Sequence, residues 1–160
     1  MGYQLRDHTA DVAVEATGRT LGSVFAAAAD GMAAAMCETI PEEGGDRFEL
    51  EVRAEGREAL LFDYLDELIY ERDVRAVLPV DNEAEVREED GGSERREEDR
   101  EAERREEDGR DETGEWVLEG SARGVPLEEI SAREVKAVTY SEMALEETDE
   151  GWRAYVVLDV

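Results

Sequence analysis

Apolar residues in this chain recur with two periods, and the order in which those periods alternate restricts the fold more than any single motif does. Val12, Val14 and Ala16 share one side of a short stretch whose other side holds Ala13, Glu15 and Thr17, the two-residue repeat of a half-buried strand. Residues 3–6 read as a strand before it. After the turn at Gly18 and Arg19, the repeat changes. Thr20 is placed to cap a helix running to residue 36, in which Leu21, Val24, Phe25, Ala28, Met32 and Ala35 return at helical spacing and the alanines allow close packing. Pro41 and Gly44-Gly45 then lead into a strand at residues 47–54, where Phe48, Leu50, Val52 and Ala54 alternate with charged residues.

A second helix is expected over residues 59–71, with Leu61, Leu65 and Leu68 on one stripe and Tyr64 and Ile69 beside it. Strands are expected at residues 76–80, 84–86, 116–122, 133–146 and 152–159. Strands, helix, strand, helix and then several strands make an α+β fold, a largely antiparallel set of strands packed with two main helices. The whole chain, residues 1–160, is read as a single domain. Residues 88–112 interrupt it with a run of Glu, Arg, Asp and Gly in which only Ala102 has apolar character. Nothing there supplies a core face, so a mobile charged insertion is expected.

That run does not account for the acidity of the chain. Residues 87–112 hold 14 acidic and 7 basic side chains, so of a net charge of -27 the remaining 134 residues still carry -20. So negative a surface suits high internal salt, as in a halophile, where screening makes self-repulsion tolerable. It opposes direct nucleic-acid binding, whose affinity comes mainly from basic groups on phosphates. One cysteine, Cys37, excludes an internal disulfide and reads as a small buried helix residue. No early apolar run has the length of a signal peptide or membrane span, and a cytoplasmic protein is expected.

The site-like residues lie near the two ends of the sequence. Asp159 followed by Val160 would place a side-chain carboxylate beside a main-chain one, and Asp11 next to them would complete an anionic cage suited to a hard divalent cation. A frayed acidic end is the alternative. Against it, Trp152, Ala154, Val156 and Leu158 alternate with Arg153, Tyr155, Val157 and Asp159, a terminal strand with much to bury. Asp11 starts a strand after a turn, where a carboxylate also caps backbone amides. His8, the only histidine, is a candidate metal ligand or base, or a turn hydrogen-bonder. Lys136, the only lysine, stands in an apolar strand and invites a carboxylate partner. Asp63 and Glu67, four apart on the second helix, are able to share an ion or a partner's arginine, or to form its wet side. A phosphate-binding loop, a CxxC pair and a nucleophile elbow are all missing.

Five blocks carry a resemblance: HTADV at 8–12, TLGSVFAAAADGM at 20–32, LLFDYLDELIY at 60–70, VKAVTY at 135–140 and the final LDV. In this order they resemble the archease family over most of the chain outside residues 88–112. The resemblance implies a cytoplasmic accessory protein of the RNA-splicing ligase that joins tRNA halves, promoting ligase guanylylation and repeated turnover, and not itself an enzyme. It implies a divalent cation, taken to be calcium in the family, held by the residues that match Asp11, Asp159 and Val160; oxygen ligands also admit magnesium and manganese. Lys136 matches the lysine of the family's KAVTYH-like block, whereas Ser141 stands where many relatives have histidine. Association with tRNA would pass through the ligase. Two rivals remain at this point: a metal-dependent phosphoester hydrolase built on His8, Asp11 and Asp159, and an acidic chaperone or scaffold.

Overall fold

The computed structural model describes residues 2–8, 11–89 and 115–160. Seven strands form two antiparallel sheets with two long helices against them. Sheet A has the order β1-β2-β7-β6, with β1 Gly2–His8, β2 Asp11–Gly18, β6 Ala137–Thr148 and β7 Gly151–Asp159. Sheet B has the order β3-β5-β4, with β3 Asp46–Ala54, β4 Val77–Glu89 and β5 Glu115–Pro126. The expected α+β architecture is therefore the one observed. The last strand does not fray. It lies between β2 and β6, and its Val156 and Leu158 pair with Val14 and Val12 on the side that faces the helices.

Helix α1, Leu21–Met36, opens as its sequence implies: Thr20 Oγ1 accepts from the Ser23 N–H at 3.0 Å, and the Thr20 N–H donates back to Ser23 Oγ at 2.9 Å. It packs between β1, β2 and β7 of sheet A and β4 of sheet B. Gly22 permits this approach, because a Cβ there would stand 2.3 Å from the Ala84 carbonyl oxygen. Asp30, its one charged residue, does not break the packing. Its Oδ1 accepts from the Asn82 N–H at 3.0 Å and from Asn82 Nδ2 at 2.8 Å, although burial, the largest influence, raises its pKa. Phe25 of α1 stacks on Tyr64 of α2 with ring centres 6.4 Å apart, so both helices feed one core.

Helix α2, Arg57–Arg75, extends past the expected residues 59–71 at both ends. Arg57 lies over the rings of Trp116 in sheet B and Trp152 in sheet A, at 5.6 and 5.1 Å. At the other end Arg72 continues the stripe of Leu61, Leu65 and Leu68 and is itself buried. A buried guanidinium needs acceptors. Arg72 Nη1 donates to the Val135 carbonyl at 3.1 Å, and Nε to Asp73 Oδ1 at 3.0 Å.

Those bonds explain why the strand expected over residues 133–146 begins only at Ala137. The Arg133 N–H donates to the Met36 carbonyl at 2.7 Å and its Nε to that of Ala35 at 3.0 Å, satisfying carbonyls left open at the end of α1. Arg133 and Val135 have thus exchanged strand pairing for helix contacts, while Lys136 keeps one bond to β7 through its N–H. The two strands expected at 76–80 and 84–86 are one, β4, interrupted by a bulge between Val80 and Glu83 where Asp81 has φ of 50°. Glu88 and Glu89, assigned from sequence to the charged insertion, instead end β4 opposite Trp116 and Glu115; the rest of 88–112 lies outside the described residues.

Candidate functional site

The register of sheet A brings the two ends of the sequence together. Asp11 is directly opposite Asp159, His8 is opposite Asp11 on one side, and Ala137 is opposite Asp159 on the other, making one row across four strands. Residues paired in this way have Cβ atoms about 4.5–5.5 Å apart on the same face. The two carboxylates thus project side by side from the face of sheet A that also carries Ala13 and Val157, away from Val12 and Leu158. Both aspartates are partly buried, and the next pair inward, Ala13 and Val157, is fully covered. Val160 follows Asp159 and packs partly against the core.

Lys136 reaches the same end of the sheet, though not as a strand residue. Its N–H donates to the Asp159 carbonyl at 2.7 Å, and its side chain is exposed rather than embedded in an apolar strand. Arg72, through Val135, therefore helps place the residue that braces Asp159. Sequence reading missed that contribution, and the available signal was an arginine at the next position of the Leu61-Leu65-Leu68 stripe. Ser141 lies where the β6–β7 pairing is interrupted between Thr139 and Ala144.

Asp63 and Glu67 are not part of this row. They lie on the outer face of α2, Asp63 exposed and Glu67 partly so. Burial, then repulsion from Asp66, raises the Asp63 carboxyl above its ordinary range. Glu67 is pushed up to about 7, first by burial and then by Glu71, with which it shares a hydrogen bond. Burial works against Glu71 too, but its bonds with Arg75, 2.6 Å away, and with Glu67 hold it low.

Chemically, the Asp11–Asp159 pair offers hard oxygen donors from two adjacent strands, with main-chain oxygens of Val160 next in the chain. That donor set fits an oxygen-seeking divalent cation better than a thiophilic one. Among the described residues, no group of three or more His, Cys, Asp and Glu side chains is gathered closely enough to hold a metal, so two carboxylates would depend on main-chain oxygens to complete a ligand set.

The family model described as "Archease protein family (MTH1598/TM1083)" matches residues 3–160. The chain belongs to the archease family. It is 32% identical to the protein archease of Methanosarcina acetivorans over 99% of this chain and 95% of that one. It is also 32% identical to the protein archease of Archaeoglobus fulgidus over the full length of both. Among solved structures, it resembles the solution structure of protein 1598 of Methanobacterium thermoautotrophicum, with a TM-score of 0.72, 27% identity and 99% of each chain covered. The archease match spans both helices and both sheets, including the row that holds Asp11 and Asp159.

Proposed function

We propose that this archease is an accessory activator of an RNA-splicing ligase in tRNA splicing, and that it works through a divalent-cation site made by Asp11, Asp159 and the main-chain oxygens of Val160. Activation of the tRNA ligase is the general role of the family. The observation that carries the finer reading is the direct opposition of Asp11 and Asp159 on neighbouring strands of sheet A. Backbone pairing, not side-chain flexibility, sets their separation, so the two carboxylates are positioned before anything binds. Lys136 keeps Asp159 in register through its N–H, and His8 occupies the adjoining position of the same row.

Calcium is the proposed ion, with magnesium and manganese compatible with the same oxygens. When bound, it would supply positive charge for phosphate or nucleotide groups on an otherwise acidic protein. The chain's own part is to present that point at the ligase and so favour guanylylation and repeated turnover. A net charge of -27 opposes a direct hold on tRNA, and the RNA is reached through the ligase. The proposed compartment is the cytoplasm.

Multiple-turnover ligation of broken tRNA by the cognate ligase tests this reading, alongside calorimetric titration of the free chain with calcium. Wild type should stimulate turnover and bind calcium, and Asp159→Ala should lose both while melting as a folded protein. Full stimulation by Asp159→Ala would overturn the carboxylate site; absence of stimulation by wild type would overturn the ligase role.

A further inference from the structure

The outer face of α2 combines exposed apolar side chains with carboxylates that have no cation interleaved among them in the described structure. Tyr70 and Val74, one turn apart, are 59% and 62% exposed, the highest values for large apolar side chains among the described residues. The patch continues onto β6, where Tyr140 is 50% exposed and its ring lies 5.3 Å from that of Phe62. Asp63, Asp66 and Glu67 share that face by helical spacing.

The absence of cations there has a structural cause. Of the helix's three arginines, Arg57 is engaged with two tryptophans and Arg72 is buried against Val135. Arg75 bonds Glu71 and lies 4.3 Å over the Phe48 ring. None is directed at Asp63 or Asp66. Both carboxyls whose pKa is raised on this helix belong to this face, displaced first by burial and then by neighbouring acidic groups.

The charge decides what can cover it. A second copy related by a twofold axis would set this acidic face against itself in a chain of net charge -27. Nucleic acid and anionic membrane are repelled for the same reason. We infer that the outer face of α2 docks a protein partner presenting an apolar socket to Tyr70 and Val74 and arginine or lysine side chains to Asp63, Asp66 and Glu67. The inference rests on the ligase reading for the identity of that partner. Location supports it. On the opposite side of the same helical turns Arg72 holds Val135, whose neighbour Lys136 bonds Asp159, so α2 flanks the end of sheet A that carries the opposed aspartates. The aspartate side chains project from the face of sheet A turned away from the helices, so the α2 face is a docking surface beside that site and not a part of it.

The experiment measures binding of the cognate RNA-splicing ligase to the full chain as wild type, as the double variant Tyr70→Ala/Val74→Ala, as Asp63→Lys, and as the sheet B control Glu49→Ala. The double variant should bind about tenfold more weakly or worse, with an unchanged melting temperature, because exposed anchors contribute to docking and little to the core. Asp63→Lys should weaken binding and reduce its dependence on salt, and the control should match wild type. Wild-type stimulation of ligation with undiminished binding by the double variant would overturn the docking surface and leave the ligase reading intact. If wild type neither binds nor stimulates the ligase, the ligase reading falls and the partner assigned here falls with it. A concentration-dependent dimer of the free wild-type chain that the double variant abolishes would reassign the face to a second copy, overturning the inference.

Discussion

The outer faces of sheet B and of α2 are both rich in carboxylates, yet they treat that charge differently. On sheet B, Arg53 lies 2.9 Å from both Glu51 and Glu89 and 3.4 Å from Glu115, while Arg87 lies 3.2 Å from Glu89 and 3.1 Å from Glu119. Hydrogen bonds from Arg53 and Arg87 hold Glu89 below the ordinary carboxylate range. On α2, Asp63 and Glu67 are displaced upward. The difference arises from geometry. The two-residue repeat of β3 and β4 puts Arg53 and Arg87 on the same side as the glutamates, with Val117 between them. The helical repeat of α2 turns Arg72 inward and directs the other two arginines to rings and to Glu71. Net charge alone does not distinguish a surface whose carboxylates are paired with arginine from one whose carboxyls are displaced upward.

The largest expected effect comes from the arginine that α2 directs inward. Arg72→Ala would leave the Val135 carbonyl without its donor and should cost about 2–3 kcal/mol in chemical denaturation. It should also lower ligase stimulation, since Lys136 and Asp159 lose their support. A variant as stable as wild type would show that the inward turn of Arg72 is incidental, removing one reason for the contrast.

A smaller effect with a diagnostic pH dependence is expected at Glu67. Its folded-state pKa of about 7 lies above the ordinary value of 4.5, so the folded chain holds this proton more tightly than the unfolded one. The resulting stabilisation is fully present below about pH 4.5 and is lost as pH rises through 7. Glu67→Gln should therefore raise the melting temperature at pH 8 relative to wild type, with the gain shrinking towards pH 5. An equal gain at both pH values would mean that burial and the neighbouring Glu71 and Asp66 do not raise the Glu67 carboxyl. The smallest effect should be at Arg87→Gln, whose exposed partners are screened by solvent; ligation should be unchanged and the melting curve nearly so. A large loss there would make the arginine network of sheet B structural, not merely neutralising.

Much of the fold was legible in the order of its periods. The alternation in residues 152–159 correctly separated Val156 and Leu158 from Val157 and Asp159, because a strand's faces follow from a repeat of two whatever its neighbours are. Thr20 was legible as a cap because capping is local. The sequence reads residues 133–136 as strand, but the hydrogen bonds of Arg133 and Val135 go to Ala35, Met36 and Arg72, far away in sequence, and Lys136 bonds β7 only through its N–H. The continuity of β4 was hidden by Asp81 and Asn82, which read as a break and form a bulge. Within the candidate site, resemblance and residue chemistry singled out Asp11 and Asp159, whereas the role of Arg72 had only an inconspicuous signal in a helical stripe.

By itself the sequence determined the periods, the cap, the acidity and the oxygen-donor residues near its ends, all of which depend on local geometry or on composition. Tertiary structure decided that β7 runs between β2 and β6, and so that residues 148 positions apart stand opposite one another. It also decided which carboxylates have an arginine and which do not. Both outcomes depend on strand pairing and helix docking between distant segments, and a linear pattern carries no information about which of the available partners a strand or side chain will meet.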